Sequence, residues 1–171
     1  MPYRDKADSS LRVVSWGDVR RLVVSARGSP RSRDHLNIHT SYEDLCQRFL
    51  NAMERETYIQ PHNHTKVGTS ESLFALRGLM ALVTFDDVGG VKSVVKFGSE
   101  KYGLDNAVGL VVGPNVWHTV VALESGSVLL EVKPGPYVER VSKDFAPWAP
   151  VPGSSDSELF LQDLRKRVAE L

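Results

Sequence analysis

Five histidines occur in the chain, and two of them, His62 and His64, are separated by one residue in Pro61-His-Asn-His64. If that segment ends a strand, residues i and i+2 point to the same face, so two imidazoles aim at one point. Glu71 follows, with Gly78 beyond it, and His118 stands in a later β-rich run after Gly-Pro-Asn-Val-Trp117. Adjacent strands lie about 5 Å apart, so side chains from several strands can converge inside a small barrel. Three neutral imidazoles and a carboxylate suit one divalent transition metal, Fe, Mn, Ni, Co, Cu or Zn, better than Ca or Mg. Without Glu71 the three histidines would still make a workable site. The plain alternative is a set of polar strand residues at a barrel mouth.

Other residues are candidates for a ligand pocket. Tyr58 lies four residues before His62, on the same face of an unbroken strand, and can hydrogen-bond a ligand or simply fill the barrel. Arg77 shares the parity of Glu71, Leu73 and Ala75, so it faces inward or ends the strand in solvent. Asn37 and His39 belong to an arm that covers the barrel mouth, or else make local turns. His35 reads as a surface residue. Glu131 and Lys133 share a strand face opposite Val128, Leu130 and Val132, and the apolar set is the better core face. Tyr58, Glu131 and His39 are the candidate general bases, and no catalytic residue can be assigned.

Positioning these residues requires particular elements. Ser15 with Asp18 makes a capping box for a first helix, whose apolar stripe is Trp16, Val19, Leu22, Val23 and Ala26, with Gly28 and Pro30 as the stop. Residues 31–39 read as irregular or extended. Thr40 with Glu43 makes a second capping box, and Tyr42, Leu45, Cys46, Phe49, Leu50 and Met53 follow helical spacing. That predicts a second helix, with Cys46 buried in its stripe. Short β-rich runs then recur at 55–61, 72–77, 79–86, 91–97, 107–113, 117–123 and 127–133, between Gly-containing turns. A Pro-rich extended tail follows, pinned by its aromatics, and a last helix begins after Ser155 with the stripe Leu161, Leu164, Val168 and Leu171. The expected plan is one domain: a helical arm at 1–53, a β-barrel at 54–133, and a tail with a helix at 134–171.

Composition bounds the function. With 171 residues there is chain enough for one packed domain. Twenty-one basic residues balance 21 acidic ones, which argues against a nucleic-acid binder or a polybasic membrane protein. No apolar run approaches the ~20 residues of a membrane span, and the first ten residues lack a leader's apolar region. A single cysteine suits a reducing cytoplasm.

The chemistry-bearing words resemble the cupin motifs. His62, His64, Glu71 and Gly78 match the second half of the first motif, and Gly109 and His118 match the second. The departures are Arg55-Glu-Thr at the leading glycine, a longer gap before Glu71, Asn115 in a glycine place, and Ala122 in place of a trailing Asn. Over about residues 11–151 the chain is similar to the WbuC-type cupin-fold metalloproteins. The words that carry this are Arg33-Asp-His-Leu-Asn-Ile-His39, Thr57-Tyr-Ile-Gln-Pro-His62, Val116-Trp-His-Thr-Val120, Leu130-Glu-Val-Lys-Pro-Gly-Pro-Tyr137 and Lys143-Asp-Phe-Ala-Pro-Trp-Ala-Pro150. The resemblance implies an all-β cupin jelly-roll barrel with N-terminal helices and a C-terminal helix, holding a metal. It also implies a bacterial source near O-antigen (surface-polysaccharide) genes, and no settled reaction. The expected function is a metal-dependent enzyme acting on a small polar or sugar-like molecule; the alternative is a non-catalytic, metal-dependent carbohydrate- or carboxylate-binding module. A homodimer is expected, with a small-molecule ligand and no nucleic-acid or membrane partner.

Overall fold

A computed structural model describes residues 11–170 except 67 and 104. Leu171 of the last helical stripe and the first ten residues, with the reading made of them above, lie outside the described residues. The elements are α1 (Trp16–Gly28), β1 (Arg33–Asn37), β2 (Cys46–Met53), β3 (His62–Asn63), β4 (Glu71–Arg77), β5 (Leu79–Phe85) and β6 (Val91–Gly98). They continue with β7 (Gly109–Val112), β8 (Trp117–Ala122), β9 (Ser127–Pro134), β10 (Asp144–Phe145) and α2 (Ser155–Ala169).

One sheet runs β1-β2-β9-β4-β7 and the other β10-β3-β8-β5-β6. Without the edge strands β1 and β10, one sheet holds β2, β4, β7 and β9 and the other holds β3, β5, β6 and β8. This is the double Greek key of a jelly roll. The fold is therefore an all-β jelly-roll barrel, as expected, with one helix, α1, before it and α2 after it.

Each sheet has two covered faces. Between the sheets, Met53, Leu73, Met80, Leu82, Phe97 and Leu129 form an apolar interior. On the outside of the first sheet, α1 buries Val19, Leu22, Val23 and Ala26 against Leu50, Ala52 and Val128. The Ser15–Asp18 capping box that starts α1 is present. On the outside of the second sheet, α2 packs Leu161, Leu164 and Val168 on Ala81, Val83 and Val121. The cap of α2 is Ser154, one residue earlier than the sequence suggests, and its hydroxyl accepts from the Ser157 amide.

The expected second helix is a correction. Residues 46–53 form β2, paired with β1 on one side and β9 on the other. Leu50 and Ala52 face α1 while Phe49 and Met53 face the barrel interior or its cavity. Covered on both faces, the strand carries apolar residues on both parities, and that pattern mimics a helical stripe. The barrel thus begins before residue 54, and Cys46 is exposed on the strand rather than buried. No helix among the described residues is long and apolar enough to cross a membrane.

Candidate metal centre and cavity

His62 and His118 sit directly opposite each other in the β3–β8 pair, with ring centroids 4.6 Å apart. His64 follows β3 directly, and its backbone amide donates to Pro114 O at 2.9 Å. Glu71 opens β4 in the facing sheet. The donor atoms of His62, His64, Glu71 and His118 all lie within 4.8 Å of one another, and all four residues are buried. Gly78 helps explain the spacing: the chain leaves β4 for β5 in the other sheet at this residue, with φ +82°. A Cβ there would lie 2.7 Å from Ser127 Cα, so only glycine fits.

The outer nitrogen of each imidazole is already committed. His62 Nδ1 lies 2.9 Å from Gln60 O, His64 Nδ1 2.7 Å from Ser142 O, and His118 Nδ1 2.8 Å from Val116 O. A carbonyl only accepts, so each Nδ1 carries a proton and each Nε2 turns to the centre. Yet Glu71 Oε1 lies 2.8 Å from His118 Nε2 and Oε2 3.1 Å from His64 Nε2. Where a ring is neutral its Nε2 lone pair would face that carboxylate, a repulsion that a cation between them relieves. The donor set therefore fits a metal ion, with carbonyls fixing the rings as outer-shell partners do. Burial, and then the nearby Lys143 and His118, hold His62 well below the usual imidazole range. Burial alone would raise Glu71, but its contacts with His118 and His64 outweigh that and hold it well below the carboxylate range.

A cavity of about 300 Å³ opens beside this cluster and is lined by His62, Glu71 and His118. Glu131 and Lys133 also line it, which overturns their reading as a solvated face. They share parity with buried Leu129, while Val128 and Leu130 turn outward to α1. Lys133 Nζ donates to Glu131 Oε1 at 2.8 Å, and Asn51 Nδ2 donates to Oε2 at 2.9 Å. Burial and the neighbouring Glu71 push Glu131 above the usual carboxylate range, against the pull of Lys133. Burial would lower Lys133, but the Glu131 and Glu71 carboxylates outweigh it and raise it.

Asn37 and His39 line the same cavity, and His39 is buried. His35 is exposed at its rim. Tyr58 is not among the lining residues. Residues 55–61 form no strand, so parity does not carry from His62 back to Tyr58. Its hydroxyl instead donates to Pro150 O at 2.8 Å, and its ring packs on Phe160 under α2. Burial pushes this phenol up to about 12. Arg77 is also outside the cavity and exposed, because the register of β4 against β9 shifts between Ala75 and Arg77 and breaks the parity count.

Sequence reasoning missed Asn51, Arg33 and Lys143 as cavity residues. A strand reading of residues 46–53 would have placed Asn51 with inward-facing Met53. Lys143 lies in no periodic segment and entered the sequence reading only as the first residue of a WbuC-type word, with no role attached.

A family model described as Domain of unknown function (DUF6016) matches residues 16–97. No curated protein matches the chain. Among solved structures, protein SO0799 from Shewanella oneidensis superposes with TM-score 0.51 at 10% identity, covering 80% of this chain and 83% of that one. TT1209 from Thermus thermophilus gives TM-score 0.50 at 17% identity, covering 72% of this chain and 97% of that one. A cupin-2 domain containing protein from Shewanella frigidimarina gives 0.43 at 15% identity, covering 60% and 80%. Strand order and site together define a cupin fold with a buried three-histidine, one-glutamate cluster suited to a divalent metal.

Proposed function

We propose that this chain is a metal-dependent enzyme acting on a small polar, sugar-like molecule. The observation that carries the reading is the commitment of all three Nδ1 atoms to carbonyls, which turns three Nε2 atoms and Glu71 onto one point beside a cavity. His62, His64, Glu71 and His118 would hold one ion of Fe, Mn, Ni, Co, Cu or Zn. When bound, such an ion supplies Lewis acidity.

The chain's own residues supply the rest. Glu131, raised by burial, is the group placed to hold or move a proton at a carboxylate oxygen beside the cluster. Lys133 and Asn51 fix its two oxygens. The interior apolar residues Leu73, Val120 and Leu129 line one side of the cavity and exclude water from it. The WbuC-type words of the sequence support a bacterial setting connected with surface polysaccharide, the single cysteine supports a cytoplasmic one, and the cupin resemblance supports a homodimer.

The test is elemental analysis of protein purified without chelator, next to a His62→Ala/His118→Ala variant. About one transition metal per chain, lost in the variant, is expected. No metal in the wild-type protein after reloading overturns the reading. Turnover is then sought over sugars and sugar acids, with Glu131→Gln expected to slow it. A ligand that binds saturably and is recovered unchanged would make the protein a binding module instead.

A further inference from the structure

The cavity has a wall whose polar groups are not satisfied. Arg33 and Lys143 line it, both half-buried, and neither has a carboxylate within ion-pair distance among the described residues. Arg33 Nη1 donates only to Tyr58 O, at 3.1 Å. Lys143 makes no hydrogen bond among the described residues, although its flanks are tied down. Ser142 O receives His64 Nδ1, and Asp144 pairs with Asn63 in the β10–β3 ladder. The lysine is thus presented to the cavity by the segment that also orients a candidate metal ligand.

His39 adds a third unsatisfied group. His39 Nδ1 lies 2.9 Å from Arg48 O and 3.1 Å from the Arg48 amide, so this side of the ring is occupied by backbone whichever tautomer is present. Its Nε2 has no partner and is buried, with the residue 7% exposed.

The other cavity charges, apart from exposed Arg31, have partners. Glu131 is paired with Lys133, and Glu71 faces the imidazoles. Asp34 at the rim accepts from Ser25 Oγ and from the His35 amide. Arg33 and Lys143 remain as like charges in one partly desolvated space, an arrangement that destabilises the fold unless a ligand offsets it. Burial lowers both groups from their usual ranges; Lys143 also feels the Glu131 and Glu71 carboxylates, which oppose that, and the Lys133 and Arg33 cations, while Arg33 feels Arg31.

We propose that Arg33 and Lys143 form an anion-recognition wall, taking the carboxylate or phosphate of a small ligand whose other end meets the metal-binding cluster. The last clause rests on the reading under Proposed function; the anion preference does not, because it belongs to side chains of the chain itself.

The test is calorimetric titration of metal-loaded and metal-stripped protein with glucuronate, malate, glucose 6-phosphate and glucose. At least one anionic probe is expected to bind about tenfold or more tighter than glucose, in both forms of the protein. Lys143→Met and Arg33→Gln are each expected to remove most of that preference with metal content unchanged, and Lys143→Arg to retain it. Tighter binding of the carboxylates assigns a carboxylate ligand, and tighter binding of the phosphate ester assigns a phosphate; both support the wall. Anionic probes that bind no better than glucose overturn it, as does a preference that survives in both Lys143→Met and Arg33→Gln. Metal content read from the same samples keeps the two conclusions apart: protein that prefers anions but never takes metal defeats the enzyme reading alone.

Discussion

The metal-binding cluster and the cationic wall share one cavity, yet they treat their polar groups in opposite ways. In the cluster every imidazole has its outer nitrogen committed to a backbone carbonyl. On the wall, Lys143 has no hydrogen-bond partner among the described residues, and in the same cavity His39 Nε2 is an orphan. Satisfied groups are fixed by the fold, and their geometry is ready before anything binds. Unsatisfied groups keep the fold less stable than it could be, and an exchanging ligand gains by meeting them. The contrast separates what the protein holds permanently from what it takes up and releases.

The sharpest way to break this comparison is His118→Ala. It is expected to bring metal content from about one per chain to near zero while the preference for anionic probes survives, as read by elemental analysis and calorimetry. Loss of both together would mean that the two regions are one site. A second variant, Lys133→Met, removes the partner of a buried carboxylate. It is expected to destabilise by about 3 kcal/mol in urea unfolding, whereas Lys133→Met/Glu131→Leu recovers most of that. Additive losses would show that the pair is not coupled.

Lys143→Met should behave in the opposite way. Removing an unpartnered, partly desolvated cation is expected to leave stability unchanged or to raise it by up to about 1 kcal/mol. Destabilisation comparable to that of Lys133→Met would show that Lys143 is a structural group, like the paired charges.

The smallest effect concerns Tyr58, packed outside the cavity. Its phenol is pushed up to about 12 by burial, against an ordinary value of 10. A raised pKa means that the folded state keeps a proton that the unfolded chain gives up. Stability from this group is therefore full below pH 10 and is lost as the pH rises towards 12. Absorbance titration should show one late phenolate phase that Tyr58→Phe abolishes. If that phase appears near 10 instead, Tyr58 is not held under the tail.

Much of the site was legible because it depends on local words. The alternation in Pro61-His-Asn-His64 does place two imidazoles together, and the spacing from Glu71 to Gly78 reflects the tight corner between β4 and β5. Where local counting ran through an irregularity, it failed. Arg77 lies beyond a register shift, and Tyr58 precedes a strand only two residues long. The pattern of residues 42–53 imitated a helix because α1 covers one face of β2 and the cavity lies on the other.

By itself the sequence determined the class of fold, the cluster His62, His64, Glu71 and His118, and the helices at the two ends. Periodicity, capping and short-range spacing are encoded within a few residues of one another. Only the tertiary structure decided which face of β9 looks inward, because both faces are covered and either could have been the core. It alone brought Arg33 and Lys143 to one cavity, since they lie far apart in the chain and follow no common period. Their meeting is set by strand order and by the path of the tail, long-range consequences of packing that no local pattern records.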